Sequence, residues 1–427
     1  MSPSASTDFV FMAMDPALGW LGALVIVIAL SLTSRINVGL LAIALAWAVG
    51  GWPGNLKPGA VLAAFPSSLF LTLLGVTLLF GAAEKNGTLG ALTGGFVGVF
   101  GGIAALMPVA FYLLASVVSA MGPGAIAATA LVAPIAMVTG GAARVPPVLM
   151  ALMVANGANA GALSPFSAVG VIVQTQFEKA GLPVSSWQIF LPNFVAHTLV
   201  AVVAYGMFGG LKLSRKPAAP AGGSRPTLGR PHVRTLLVLV AWIAAVMFGG
   251  LHLGLAAFAA TVVLILTGTA EEAGALKSVP WPVILMVCGV SLLVEVGQAT
   301  GGVELFTRLL AGLASPSTAS GVMALVTGII STYSSTSGVV YPAFLPAVPG
   351  LVAQMGGGNP LEIALSINVG AALVDVSPLS TLGALCIAAA APLGADPKAM
   401  FRVMLIWGFS MAGVGAVFCQ LFIGWFI

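Results

Sequence analysis

Charged side chains are scarce in this chain of 427 residues. It contains 15 Lys+Arg and 11 Asp+Glu, so that only 6% of its residues are charged, whereas a soluble domain carries about 25%. So few charges cannot cover the surface of a water-soluble protein of this length, and apolar runs of about 20 residues recur along the sequence. The composition therefore excludes a soluble enzyme and a nucleic-acid-binding protein, and it predicts an all-α polytopic membrane protein.

Cysteine and histidine are also scarce, with three residues of each type. Cys288, Cys386 and Cys419 lie in apolar runs without the spacing of a metal site or a disulfide framework. The glycine-rich stretch 94–102 is not followed by the Lys-Ser/Thr pair of a phosphate-binding loop. We therefore expect no cofactor, except that Na⁺ could serve as a coupling ion, and no nucleotide-driven pump.

The apolar runs divide into ten predicted spans and two shorter hairpins. The hairpins, 103–140 and 317–354, are interrupted near the middle by Gly, Pro or small polar residues, which fits re-entrant pairs of half-helices. No basic segment precedes the first run, so we interpret it as a retained span and not as a signal peptide. The predicted spans are 17–34, 36–51, 67–83, 146–175, 187–211, 235–251, 253–269, 280–297, 360–392 and 399–426.

The basic residues predict an orientation. If the linker 212–234 is cytoplasmic, twelve of the fifteen Lys and Arg residues lie inside, as the positive-inside rule expects, and both termini lie outside. The linker is rich in Pro, Gly and Ala, which is typical of a flexible connector. We expect a first repeat over 1–211 and a second repeat over 235–427.

The two halves resemble each other at a nearly constant offset. Ser164-Pro165 pairs with Ser377-Pro378, 213 positions later, and the hairpin centres 121–124 and 334–337 share this offset. Because each half has five spans, an odd number, the second half is inserted upside down. Inverted repeats with interrupted helices are typical of secondary transporters.

Four helix interruptions, two in each half, predict an anion site. Ser followed by Pro favours a helix start, so we expect half-helices to begin at Ser164 and Ser377 and near the two hairpin tips. A helix N-terminus carries unpaired N–H groups and about +0.5 charge, so that four of them bind an anion without Lys or Arg. The candidate substrate residues are Gly122, Pro123, Gly124, Asn159, Ser164, Pro165, Ser335, Thr336, Ser337, Ser377, Pro378 and Ser380.

A second set of residues could ligate a coupling cation. Asp375 is the most informative, because a carboxylate within an apolar span is costly and usually functional; it could ligate Na⁺, carry a proton or serve as a structural cap. We interpret Glu84 and Glu295 as interfacial and His197 as a packing residue. The candidate cation ligands are Ser119, Gly122, Asn156, Asn159, Thr332, Ser335, Asn368 and Asp375.

Several runs resemble a known carrier family. The segments INVGLLAIALAW, FPSSLFLTLLGVTLLFGAAEKNGTL, SAMGPGAIAATALVAPIAM and ALMVANGANAGALSPFSAVGVIV are similar to the N-terminal half of MatC-type dicarboxylate (malonate) carriers. These carriers belong with the divalent anion:sodium symporters of the ion transporter superfamily. In that family the hairpin tips carry Ser-Asn-Thr and bind substrate carboxylate and sodium. Here Gly122-Pro123-Gly124 and Ser335-Thr336-Ser337 stand at the tips.

The resemblance implies a secondary carrier of small dicarboxylates in a bacterial-type inner membrane, coupled to Na⁺ or H⁺. It also implies a homodimer surrounded by lipid, in which the hairpin domain shifts like an elevator against a scaffold that includes the first, second, sixth and seventh spans. A cation/proton antiporter of the same superfamily and an anion channel stay open as alternatives. An intramembrane hydrolase finds no support, since no Ser/His or metal pair is expected at matched depth.

Overall fold

A computed structural model describes residues 15–33, 36–88, 90, 91, 103–122, 124–214 and 229–427. These residues form α-helices joined by short turns and 3-10 segments, and no β-strand occurs among them. The prediction of an all-α polytopic fold is confirmed. Most of the linker 212–234 lies outside the described residues.

The first half contains nine described helices. Asn37 and Ser185 cap two of them, each accepting a hydrogen bond from a first-turn N–H group. The helices are α1 (Pro16–Thr33), α2 (Val38–Gly51), α3 (Pro58–Ala63), α4 (Ser67–Lys85), α5 (Met107–Ala120), α6 (Gly124–Ala142), α7 (Pro147–Ala162), α8 (Ala168–Lys179) and α9 (Ser186–Met207).

The second half repeats this order. A π-helical segment, Thr336–Val340, opens the second arm of its hairpin, and a 3-10 segment, Val374–Val376, interrupts its fourth span. The helices are α10 (Arg230–Gly249), α11 (Leu253–Leu266), α12 (Glu272–Ser278), α13 (Trp281–Ala299), α14 (Gly302–Ala311), α15 (Ala319–Tyr333), α16 (Tyr341–Phe344), α17 (Val348–Met355), α18 (Pro360–Leu373), α19 (Thr381–Ala390) and α20 (Pro397–Phe422).

Each of the ten predicted spans coincides with one helix or with an interrupted pair of helices, but helix length alone selects a different set. Seven helical segments in the described part of the chain are long and apolar enough to cross a membrane, and they include the second arms of both hairpins. The 14-residue helices α2 and α11 fall short, because about 1.5 Å per residue makes them shorter than the hydrocarbon layer of about 30 Å. Apolar length therefore does not separate a hairpin arm from a span.

Glycine crossings join helices of the first half to helices of the second half. A Cβ on Gly39 of α2 would lie 2.1 Å from the carbonyl oxygen of Leu285 on α13, and a Cβ on Gly75 of α4 would lie 2.3 Å from that of Gly254 on α11. Each half thus contributes one helix to each crossing. Small residues let the helix backbones approach this closely.

Within each half, the hairpin packs against the broken span of the same half. A Cβ on Gly157 of α7 would lie 2.2 Å from the Tyr112 carbonyl oxygen on α5, and a Cβ on Gly370 of α18 would lie 2.4 Å from that of Ala324 on α15. Helices α9 and α20 pack on α7 and α18 in turn. The breaks and the hairpin tips therefore pack together within each half, whereas the glycine crossings join the two halves.

Candidate functional site

The break in the first half lies between α7 and α8. Ser164 does not begin a half-helix there: its Oγ accepts a hydrogen bond from the Phe166 N–H at 3.3 Å and donates to the Ala120 carbonyl at 2.7 Å. The N-cap is Ser167, whose side chain accepts from the Val169 N–H. The expected helix start was therefore wrong by three residues, because Ser-Pro-Phe-Ser offers two serines and the later one caps the helix.

The break in the second half repeats this geometry. Ser377 Oγ accepts from the Leu379 N–H at 3.3 Å, while Ser380 is the N-cap of α19 and accepts from the Gly383 N–H. The start predicted at Ser377 was wrong in the same way as that at Ser164. The pattern Ser-Pro-X-Ser-X-X-Gly stands in both halves, and it is the signal that would have found the caps.

The glycine of this pattern lies against the loop. A Cβ on Gly170 would lie 1.9 Å from the Ser164 carbonyl oxygen, and a Cβ on Gly383 would lie 2.2 Å from the Ser377 carbonyl oxygen. Any larger residue would push the first turn of the half-helix away from its loop. These glycines therefore position the N-termini of α8 and α19.

The first hairpin tip uses backbone geometry. Gly122 has a φ of 148°, and a Cβ there would lie 1.8 Å from the Phe80 ring. Its carbonyl accepts from the Ala168 N–H at 3.0 Å, which ties the tip to the start of α8. Gly124 opens α6 with a φ of 78°, a value that favours glycine. Pro123 lies outside the described residues.

The second hairpin tip uses hydroxyl groups. Ser335 is an N-cap whose Oγ accepts from the Gly338 N–H at 3.1 Å. Ser331 Oγ bonds with Thr336 Oγ1 and donates to the Ala371 carbonyl at 2.9 Å. The second tip is therefore joined to the end of α18, just as the first tip is joined to α8.

The starts of four helical segments line one cavity of about 250 Å³. They contribute Ala125 of α6, Val169 of α8, Thr336 of the π-segment and Thr381 of α19. Its volume lies below the 300–1,000 Å³ that is usual for drug-sized ligands, so the cavity suits a small solute. Among the described residues that line it, none is Lys or Arg, and Asp375 is the one with a carboxylate.

The structure places some predicted substrate residues at the cavity wall and others behind it. Asn159, Ser335, Thr336, Ser337 and Ser380 line the cavity. Behind the wall, the two Ser-Pro turns and the tip glycines support the helix starts; these residues are Gly122, Gly124, Ser164, Pro165, Ser377 and Pro378.

Sequence reasoning missed several residues of the cavity wall. Ser334 and Thr381 adjoin predicted residues and could have been included with them. Tyr341 and Ala372 also line the cavity, and tertiary packing alone brings them there.

The predicted cation ligands do not form one cluster. Asn159, Ser335 and Asp375 line the cavity, and Asn159 Nδ2 donates to the Ala372 carbonyl at 3.4 Å. Thr332 donates to the Gly328 carbonyl within its own helix.

The remaining cation candidates lie away from the cavity wall. Asn156 Nδ2 donates to the Leu152 carbonyl. Ser119 Oγ and both amide atoms of Asn368 are buried without a hydrogen-bond partner in the described structure. The described part of the chain holds no group of three or more His, Cys, Asp or Glu residues arranged for a metal ion.

Asp375 connects the second break to the second hairpin tip. Its backbone carbonyl accepts from Ser380 Oγ, and its carboxylate interacts with the side chains of Ser380 and Thr336. The equivalent position in the first half, Ala162, also lines the cavity. The carboxylate is therefore one of the groups that distinguish the wall of the second half from that of the first.

A second, mainly apolar cavity of about 150 Å³ adjoins the first and shares Ala125 and Val169 with it. It runs along α4 to Glu84, and Ser278 and Pro280 line the same end. Glu295, at the opposite end of α13, pairs with Lys179 of α8.

The first part of the chain matches the model of a known protein family. Residues 14–162 match the family model described as Dicarboxylate carrier protein MatC N-terminus. This segment, called the MatC segment below, is similar to that family. The MatC segment runs from α1 to the end of α7, so that it includes the first hairpin and stops where the first break begins.

The likeness to a solved structure extends over almost the whole chain and not only over residues 14–162. The crystal structure of the Alcanivorax borkumensis YdaH transporter, described as having an unusual topology, matches with a TM-score of 0.59 and 14% identity, over 96% of this chain and 98% of that one. At this identity the likeness concerns the fold alone. No curated protein matches the chain. Both the family model and this solved structure are of transport proteins.

Proposed function

We propose that this protein is a secondary active transporter of small dicarboxylates in a bacterial-type inner membrane, coupled to Na⁺ or H⁺. The observation that carries the proposal is the cavity at which four helical segments begin, without a Lys or Arg among its described lining residues. Unpaired N–H groups and the positive ends of helix dipoles favour a bound anion. The MatC segment supports a dicarboxylate as that anion.

The two-fold arrangement suits a solute with two carboxylates. Each half contributes two helix starts to the cavity wall, so one carboxylate can face each half. The second half adds the hydroxyls of Ser335, Ser337 and Thr381, and the first half adds the Asn159 amide. We infer that backbone N–H groups supply the affinity and that these side chains orient the substrate.

Asp375 gives a physical reason for coupling. Its carboxylate shares the cavity with the anionic substrate, and like charges at short range disfavour each other. A cation or proton that binds together with the substrate offsets this repulsion. This favours symport. We further propose that the hairpins and broken spans shift together, like an elevator, against a scaffold that includes the first, second, sixth and seventh spans. By the same family resemblance we propose a homodimer in lipid.

The same carboxylate also favours a second candidate function, cation/proton antiport. The test is uptake of labelled malonate, succinate and malate into proteoliposomes, with Na⁺ and pH gradients imposed separately. We expect saturable uptake with counterflow, driven by one of the two gradients. Cation exchange without anion uptake would establish the antiporter, and non-saturating anion flux without counterflow would establish a channel.

A single variant links this activity to the cavity. Thr381→Ala removes a cavity hydroxyl at the start of α19, and we expect it to raise the apparent KM about fivefold, as the loss of one hydrogen bond worth about 1 kcal/mol would. The matched control is Thr327→Ala, because Thr327 is buried in α15 and bonds to the Met323 carbonyl away from the cavity. Equal KM values in the two variants would argue against this substrate site.

A further inference from the structure

The second cavity is continuous with the first. Besides Ala125 and Val169, the two cavities share Ile126, Val283 and Ser337. The shared residues include the first turns of α6 and α8, two of the helix starts at which the proposed function places the substrate. A solute held at these helix starts therefore lies where the two cavities join, and a substituent on that solute can extend into the second cavity.

Beyond this junction, the walls of the second cavity are apolar and buried. Leu73 and Phe80 of α4, Ile172 of α8 and Ile284 of α13 line it, and each is at most 2% exposed. The Phe80 ring packs edge-on against Trp242 of α10, with 5.8 Å between the ring centres. Side chains held by such packing form a pocket before any ligand arrives, which lowers the cost of ordering the site on binding.

The polar side chains of the second cavity do not favour an anion. Thr77 Oγ1 donates to the Leu73 carbonyl and Ser278 Oγ to the Ala275 carbonyl, both at 2.7 Å, so their hydrogens are already used. Glu84 adds a carboxylate at the far end, and none of the described lining residues is Lys or Arg. Because burying a charge without a partner is costly, the cavity suits an uncharged group better than the passage of an anion.

The volume of the second cavity limits the size of that group. The volume is about 150 Å³, and an apolar protein cavity of about this volume can hold a ring of about six carbons. An alkyl chain of about three carbons therefore fits. Each buried methylene group contributes about fourfold in affinity, less the cost of ordering the chain.

We propose that the second cavity is a subsite for an uncharged apolar substituent on the bound dicarboxylate, so that the protein binds 2-alkylmalonates more tightly than malonate. The two carboxylates stay at the helix starts of the first cavity, and the alkyl group lies among the apolar side chains of α4, α8 and α13. This inference rests on the proposed function, because the carboxylates must bind before the substituent can be placed.

Displacement of labelled malonate from the purified full chain tests the subsite. The probes are malonate and 2-propylmalonate, which differ by one three-carbon chain. We expect 2-propylmalonate to bind about tenfold more tightly. Equal or weaker binding of 2-propylmalonate, while malonate binds, would overturn the subsite and leave the proposed function intact. Absence of malonate binding would overturn the proposed function itself, and the subsite with it.

A cavity-filling variant places the alkyl group. Thr77→Leu fills part of the second cavity from α4 and replaces no residue of the first cavity. We expect the ratio of the malonate to the 2-propylmalonate dissociation constant to fall from about ten to about one. Because both ligands are measured on the same variant, a folding defect that weakens both does not change this ratio. A ratio that stays near ten would show that the propyl group lies elsewhere.

Thr175→Leu is the matched control for Thr77→Leu. Thr175 of α8 also bonds to a carbonyl four residues earlier, that of Val171 at 2.9 Å, and it lines neither cavity. Its ratio of dissociation constants should equal that of the wild type. Malonate uptake that is slower in Thr77→Leu than in Thr175→Leu, with the ratio still near ten, would identify the second cavity as an anion pathway and overturn the subsite.

A third ligand tests the apolar character on the wild-type chain, so that this test does not depend on the folding of a variant. Propane-1,1,3-tricarboxylate is malonate with a two-carbon chain that ends in a carboxylate, and it is close in size to 2-propylmalonate. We expect it to bind more weakly than 2-propylmalonate, because its third carboxylate would lie among apolar side chains on the side of Glu84. Binding as tight as that of 2-propylmalonate would overturn the apolar subsite.

Discussion

The half-helices α8 and α19 follow equivalent breaks but pack differently. Helix α8 contacts α4 and joins α13 through Gln176 Nε2, which donates to Ser291 Oγ at 3.3 Å, and through the ion pair between Lys179 and Glu295. Helix α19 is exposed along one side, and its Cys386 Sγ donates to the Ala151 carbonyl on α7. In the described residues no side-chain hydrogen bond or ion pair joins α19 to α4 or α13.

Two similar sequences therefore pack in two different ways in one molecule. Near Lys179, α8 packs against α4 and α13, whereas the second cavity continues along α4 to Glu84. In a transporter built from inverted repeats, the opposite state arises when the halves exchange roles. We therefore expect α19 to dock on α4 and α13 when α8 leaves them.

The largest effect is expected where the two halves are the same. Gly170→Ala and Gly383→Ala would each place a methyl group about 2 Å from a loop carbonyl oxygen, far inside van der Waals contact. Because both changes displace a helix start from the cavity, we expect each to lower malonate uptake tenfold or more, equivalent to about 1.4 kcal/mol.

Gly206→Ala is the matched control for the two glycine variants. Nothing lies within 4 Å of a Cβ at this position of α9, so uptake should stay at the wild-type level. All three variants are first checked for a single size-exclusion peak. Strong loss at only one of Gly170 and Gly383 would show that the halves contribute unequally to the site.

A second, smaller effect is expected where the halves differ by one carboxylate. Asp375→Asn keeps the shape of the side chain and removes its charge. We expect uptake to lose its dependence on the coupling gradient while the order of preference among malonate, succinate and malate is kept. Initial rates with and without Na⁺ and pH gradients measure this.

Ala162→Asn is the mirror control for Asp375→Asn. It introduces the same side chain at the equivalent position of the other wall, and it should leave the gradient dependence intact. A changed substrate order with unchanged gradient dependence in Asp375→Asn would instead identify Asp375 as a substrate contact.

The fold follows from the sequence more directly than the site does. Ten helical regions coincide with apolar runs because burial in lipid depends on composition along the chain. The helix starts predicted at Ser164 and Ser377 were wrong because each motif holds two serines. Which of the two caps the helix depends on the contacts that Gly170 and Gly383 make with the loops. One ring nitrogen of His197, Nε2, lacks a hydrogen-bond partner among the described residues. Only the structure shows this, since the residue type alone favoured a packing role.

The packing of α8 against α4 and α13 could not be predicted at all. Both halves carry Ser-Pro-X-Ser-X-X-Gly, and nothing in that pattern says which half-helix is docked. The pairing of Lys179 with Glu295 joins residues 116 positions apart, and Glu295 considered alone was interpreted as interfacial. Tertiary packing selects one of two equivalent arrangements.

The smallest effect is expected from the ion pair that joins α8 to α13. Lys179→Ala removes the ion pair between α8 and α13, and a partly exposed pair contributes about 0.2–1 kcal/mol. The state in which α8 leaves the scaffold should therefore gain up to about fivefold in population. The probe is Ser291→Cys in a background without native cysteines, modified by a membrane-impermeant maleimide from the Lys179 side. Arg308→Ala, which breaks the Glu304 pair within α14 alone, should leave the rate unchanged. If both variants labelled at the wild-type rate, the ion pair would have no part in holding α8 against α13, and the apolar contacts of α8 with α4 would have to hold it there.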